Sequence, residues 1–70
     1  MMPLALVDIG TECMVHRVTG PDATRKHLED LGFNPGEIVI VVAQLNGNII
    51  VKVKESRIAL DQDLAKKIMV

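Results

Sequence analysis

The stretch Glu37-Ile-Val-Ile-Val-Val-Ala-Gln-Leu-Asn-Gly-Asn-Ile-Ile-Val-Lys-Val-Lys54 holds two apolar runs on either side of an Asn-Gly pair. Asn46-Gly47 is the strongest hairpin signal in the chain, because the favoured two-residue turn needs positive φ at both central positions. The reading is a strand over 37–45, a turn at 46–47 and a strand over 48–54. A two-residue turn fixes the register. Leu45 stands opposite Asn48, and counting back places Val42 opposite Val51 and Ile40 opposite Val53. Side chains alternate along a strand. Ile49, Val51 and Val53 therefore share one face, and Ile50, Lys52 and Lys54 share the other. The lysines mark the solvent side, so Ile38, Ile40 and Val42 are predicted to point inward with Ile49, Val51 and Val53. Val39, Val41 and Ala43 are then predicted to lie beside Ile50 on the outer face.

Upstream, a helix is predicted from about Ala23 to Leu31, with Asp22 as its cap and Leu28 and Leu31 as its buried stripe. Gly32 is the left-handed stop. Phe33, the only aromatic residue, falls where a helix-ending motif folds an apolar side chain back onto the last turn. Asn34-Pro35-Gly36 reads as a turn with Pro second and Gly third. Before the helix, residues 1–10 form a lead-in, and Cys13 to Val18 is predicted as a first strand that Gly20-Pro21 ends. Downstream, a tight corner near Glu55-Ser56 leads into a strand over 57–60. Asp61 caps a last helix over 62–67, and Ile68-Met69-Val70 is placed to pair with the first strand. The fold class is mainly β with two short helices: a small, SH3-like β-barrel of about five strands in one domain spanning 1–70. Closure would remove the open edges that invite aggregation.

Composition narrows the function. With 70 residues, 49% of them hydrophobic, and a single cysteine, stability rests on an aliphatic core with no internal disulfide. Eight basic and nine acidic residues give a net charge of -1. Nucleic-acid binders carry basic patches and stacking rings, so no nucleic-acid partner is expected. No apolar run reaches the roughly 18–20 residues of a membrane span. No basic region precedes the short apolar run at the N-terminus, so neither insertion nor a signal peptide is expected. A cytoplasmic location is the expectation.

The run Leu28-x-x-Leu31-Gly32-Phe33-x-Pro35-Gly36, followed by an aliphatic strand, resembles the signature of the FeoA family. Leu6-Val7-Asp8-Ile9, Gly47-x-Ile49-x-Val51-x-Val53 and Ile58-Ala59-Leu60 with Ile68-x-Val70 resemble its other segments in the same order. The chain departs from the pattern in four places. The opening glycine, Gly10, sits early. Ile49 stands where proline is common. Glu55-Ser56 stands where a glycine is common, and Asp61 where a basic residue is common. The resemblance implies an SH3-like fold and a non-enzymatic accessory role in bacterial ferrous iron uptake. Its implied partner is the cytoplasmic, nucleotide-hydrolysing domain of the iron transporter. The same module resembles the SH3-like domain of iron-dependent repressors, which keeps open an alternative as a metal-sensing or metal-carrying module.

The residues themselves offer little catalytic chemistry. A nucleophile needs a base within reach and a group orienting that base. Ser56 is the only serine and sits among charges. Cys13 precedes an apolar strand and reads as a small buried hydrophobe. Gly32-x-x-x-Gly36 lacks the Lys-Ser/Thr of a phosphate loop. Cys13, His16 and His27 are the candidate metal ligands. Cys13 and His16 are three apart, so on a regular strand they face opposite ways. A closed zinc site usually takes four N or S ligands, and these three side chains are the chain's full set. No cofactor is expected, and weak Fe2+ or Zn2+ association stays open. Binding is the better class. The expected partner-binding surface is Val39, Val41 and Ile50, with the corner Phe33, Asn34 and Pro35 beside it, because contiguous exposed apolar area marks interaction sites. Weak self-association through that surface is a further expectation.

Overall fold

The computed structural model describes residues 1–70. A short 3₁₀ turn at Leu4–Leu6 opens the chain. It is followed by β1 (Glu12–Met14), β2 (Arg17–Val18), α1 (Asp22–Asp30), β3 (Ile38–Leu45), β4 (Asn48–Val53), β5 (Ser56–Leu60), α2 (Gln62–Ala65) and β6 (Ile68–Met69). The strands form a four-stranded antiparallel sheet in the order β1-β3-β4-β5 and a two-stranded sheet of β2 and β6. The expected first strand, Cys13 to Val18, is therefore two strands. At Val15 the backbone still bonds to Glu37 and Gly36, while the next N–H, of His16, donates to the Met69 carbonyl. The chain changes sheets there, and the side chain of Val15 plugs the junction with no exposure.

The hairpin at Asn46-Gly47 is present, with φ of 51° and 85° at the two central residues and Leu45 opposite Asn48. The register beyond it differs from simple counting. Ala43 pairs with Ile50, but Val41, not Val42, pairs with Val51, and Val39, not Ile40, pairs with Val53. Val42 is an extra residue, a β-bulge. Bulges bend the strand that carries them and sharpen its twist, which a sheet wrapped around so small a core requires. One inserted residue turns the first half of β3 over. Val39 and Val41 are fully buried, whereas Ile38 is 49% exposed. The core is thus built from Val39 and Val41 with Ile49, Val51 and Val53, and closed by Leu4, Val7, Val15, Leu28, Phe33, Leu60, Ala65 and Ile68.

The helix-to-strand corner follows its sequence signals. Gly32, at φ 111°, donates its N–H to the Glu29 carbonyl, and Phe33 donates to the Leu28 carbonyl. These are the two bonds of a Schellman motif, whose accompanying apolar contact is supplied by Phe33 and Leu28, both in the core. The Glu37 N–H closes the Asn34-Pro35-Gly36 turn on the Asn34 carbonyl at 3.0 Å. The start of α1 differs from expectation. Pro21 is its extended N-cap, with no side-chain hydrogen bond, and Asp22 is its first helical residue. Asp22 instead pairs with Arg25 one turn on, its carboxylate favoured by the helix dipole. At α2 the Asp61 carboxylate does accept the Leu64 N–H, at 2.9 Å. That helix is two residues shorter than expected, ending at Ala65, because residues 66–67 must bend to bring β6 onto β2. Thr19 holds the bend by donating its N–H to the Lys67 carbonyl at 2.7 Å.

Candidate docking surface

The bulge decides which side chains the four-stranded sheet presents to solvent. On its outer face the paired positions form rows. Met14 lies beside Ile38; Glu12, Ile40, Lys52 and Arg57 form the next row; Ala43, Ile50 and Ala59 form the third. Met14 is 51% exposed. Ile40, Ala43 and Ile50 are half-buried, yet they do not pack against the core, unlike half-buried Cys13 and Ile58 on the inner face. Both helices pack elsewhere: α1 against β2, and α2 against the 3₁₀ turn and the β4 and β5 side of the core. An apolar strip from Met14 through Ile38 and Ile40 to Ile50 is therefore left without cover.

Three of the residues expected on a partner-binding surface are not available. Val39 and Val41 are fully buried, as is Phe33. The first two turn inward because the bulge shifts the register, and the ring is spent on the helix stop. Ile50 stays on the outer face, and Ile38 and Ile40 take the places expected of the two valines. The corner keeps Pro35, which is exposed, and Asn34, which is half-buried and donates its side-chain amide to the Glu29 carbonyl. Pro35 lies at the Ile38 end of the strip, three residues before it.

A second apolar feature went unread in the sequence. The 3₁₀ turn, the loop at Asp8–Thr11, Cys13 and Val70 border an open groove of about 280 Å³ lined mainly by Met2, Leu6, Val7, Cys13 and Val70. The lead-in is not a loose tail. Met2 and Val70 exchange backbone hydrogen bonds at 2.8 Å in both directions, and Leu4 and Val7 are buried. The signal was the pair Leu4-x-x-Val7 after Pro3, the spacing of one 3₁₀ turn.

The candidate metal ligands are not brought together. Cys13 faces inward on β1, His16 is exposed at the crossing between sheets, and His27 is exposed on α1. No three His, Cys, Asp or Glu side chains converge to hold a metal ion. Burial pushes the Cys13 thiol above its usual range, and the neighbouring Glu12 charge adds to the effect. Burial thus disfavours the thiolate, the form that attacks as a nucleophile and binds metals. Ser56, in the exposed corner opening β5, has no side-chain hydrogen bond to a base.

A small SH3-like sheet fold carries an uncovered apolar strip on its outer face. The FeoA domain family matches residues 2–70, and the chain belongs to that family. A curated protein of Methanocaldococcus jannaschii, provisionally named Fe(2+) transport protein A, is 36% identical over all 70 residues, which cover 85% of its length. The crystal structure of Stenotrophomonas maltophilia FeoA with zinc, described as a procaryotic SH3 domain protein, superposes with a TM-score of 0.87. That protein is 31% identical, over 99% of this chain and 88% of its own. A manganese-dependent transcriptional repressor shares the fold at TM-score 0.85 and 19% identity. The match covers 94% of this chain and 38% of the repressor. No helix is long and apolar enough to cross a membrane.

Proposed function

We propose that this protein is an accessory factor of ferrous iron uptake that works by docking on the cytoplasmic, nucleotide-hydrolysing domain of the iron transporter. Membership of the FeoA family and the transport name of the Methanocaldococcus relative support the iron context. The observation that carries docking is the uncovered strip of Ile38, Ile40 and Ile50 on one rigid sheet face, with Pro35 at its end. Apolar side chains without cover on a fixed backbone favour binding, since little ordering entropy is lost on association. Modulation follows from position: a module seated on a nucleotide-hydrolysing domain biases whichever of that domain's states it fits better. The test is a titration of the transporter's cytoplasmic domain with wild type, Ile40→Asp and Ile50→Asp. Both variants change outer-face residues and stay folded, and both bind at least about tenfold more weakly. Equal binding by folded variants would remove this face from the interaction.

A second reading, weak metal association, draws on the zinc in the Stenotrophomonas structure. The residues of this chain do not fit a closed site: Cys13 faces the core, where burial disfavours its thiolate, and His16 and His27 stand apart from it. A site with three or more protein ligands would need groups from a partner or a second copy. Equilibrium dialysis with ferrous iron and zinc, alone and with the transporter domain present, separates these cases.

A further inference from the structure

On the outer face, Lys52 and Arg57 stand directly opposite each other on β4 and β5. Both are exposed. The ion pairs of the chain are Arg25 with Asp22 and Lys54 with Glu37, so neither member of this pair has a counter-charge. Their spacing is close. In a two-residue hairpin the pair flanking the turn, here Val53 and Ser56, exchanges hydrogen bonds. The next pair is then of the non-hydrogen-bonded kind, with Cα atoms about 4.5 Å apart and side chains nearest each other. Like charges placed so destabilise a sheet. Glu12 shares their row, but Ile40 stands between it and Lys52. The chain therefore carries a like-charged cross-strand pair with which none of its nine acidic residues forms an ion pair. The apolar neighbours of the pair on that face are Ile40, Ile50 and Ala59.

We propose that Lys52 and Arg57 are the charge-reading half of the docking face, and that they bind an acidic segment of the protein partner. That segment carries one or two carboxylates flanked by apolar side chains, which settle on Ile40 and Ile50. The inference rests on the docking reading above and specifies the chemistry of its partner. Docking replaces repulsion within the pair by attraction across the interface, so the feature that costs the free protein stability adds to the bound one. Phosphate is the other anion two cations could hold. Two cations on a chain of net charge -1 without stacking rings do not make a nucleic-acid surface.

Lys52→Glu separates folding from binding, because it turns the like pair into an opposite cross-strand pair. Thermal melts and calorimetric titrations of the full chain with the transporter's cytoplasmic domain, at low and high salt, test it. Lys52→Glu and Arg57→Glu each melt a few degrees higher than wild type, bind about tenfold or more weakly at low salt, and show a flatter salt dependence. Lys66→Glu, on the exposed end of α2, binds as wild type does. The proposal is overturned if both reversals bind with wild-type affinity and salt dependence while Ile50→Asp does not bind. It is also overturned if a short DNA duplex is retained by wild type and released by Lys52→Glu, which would assign the pair to phosphate. If wild type itself fails to bind the domain, the docking reading falls and this inference falls with it.

Discussion

Val41 stands opposite Val51, the place that counting from the turn assigns to Val42. The difference of one residue sends Val39 and Val41 to the interior and leaves Ile38 and Ile40 outside. It sets both what holds the domain together and what it offers to a partner.

Aspartate substitutions read this register directly. Val41→Asp buries a charge without a partner at a fully buried position, which costs several kcal/mol. A chain of 70 residues has only about 4–10 kcal/mol of stability in all, at roughly 0.05–0.15 kcal/mol per residue. Val41→Asp is expected to be unfolded by circular dichroism. Ile40→Asp, on the outer face, is expected to lose no more than about 1 kcal/mol in urea titration. The reverse ranking would restore the unbulged register.

The corner at residues 32–33 is the second point of leverage. A Cβ at Gly32 would lie 3.3 Å from Val53 Cγ2 at a backbone φ of 111°. Gly32→Ala is expected to lose at least about 1–2 kcal/mol. Phe33→Ala empties the largest fully buried side chain and is expected to lose about 3–5 kcal/mol. Phe33→Leu is expected to keep a folded domain. Chemical denaturation of all three checks the order; Gly32→Ala as stable as wild type would contradict the left-handed stop.

Lys54 opens the β4–β5 corner at φ 54°, where L-residues are strained. Glycine fits there without strain. The side chain's ion pair with Glu37 is long, at 3.7 Å, and largely exposed, so its loss matters little. Relief of the left-handed strain, about 1–2 kcal/mol, exceeds the entropy glycine loses on folding, about 0.5–1 kcal/mol, so Lys54→Gly is expected to raise stability by about 0.5–1 kcal/mol, seen as a higher melting temperature. A lower one would show that the ion pair outweighs the strain.

The Cys13 thiol holds its proton more tightly when folded, through burial first and the Glu12 charge second. The native state is therefore at no disadvantage below the free thiol range, about pH 8.5. It loses stability as pH rises through that range toward the raised folded value, because the unfolded chain releases its proton earlier. Urea midpoints for wild type should fall more steeply above about pH 8.5 than those for Cys13→Ser. Parallel curves would show that the thiol is not buried enough to matter.

Much of this fold is legible in the sequence, for local reasons. Asn46-Gly47 dictates its turn because few other residues accept positive φ twice in succession. Leu31-Gly32-Phe33 dictates the helix stop by the same backbone rule plus one apolar contact. Asp61 caps α2 because a carboxylate three residues ahead of a free N–H has an obvious partner. The aliphatic run Val39-Ile40-Val41-Val42 is different. Every residue in it suits either face, so alternation carries no information there and a bulge leaves no mark. The split of the first strand is silent for a similar reason, since Val15 and His16 change partners across distant segments.

What the sequence determined by itself was therefore the set of elements, their order, the turns that join them and the family pattern. Each of these is set by backbone preferences and spacing within a few residues. What the tertiary structure alone decided was the face each side chain of β3 shows, the burial of Val39 and Val41, and the uncovered strip beside Lys52 and Arg57. Those depend on how sharply a sheet must bend to close over thirteen buried side chains, a demand of the whole core that no local stretch records.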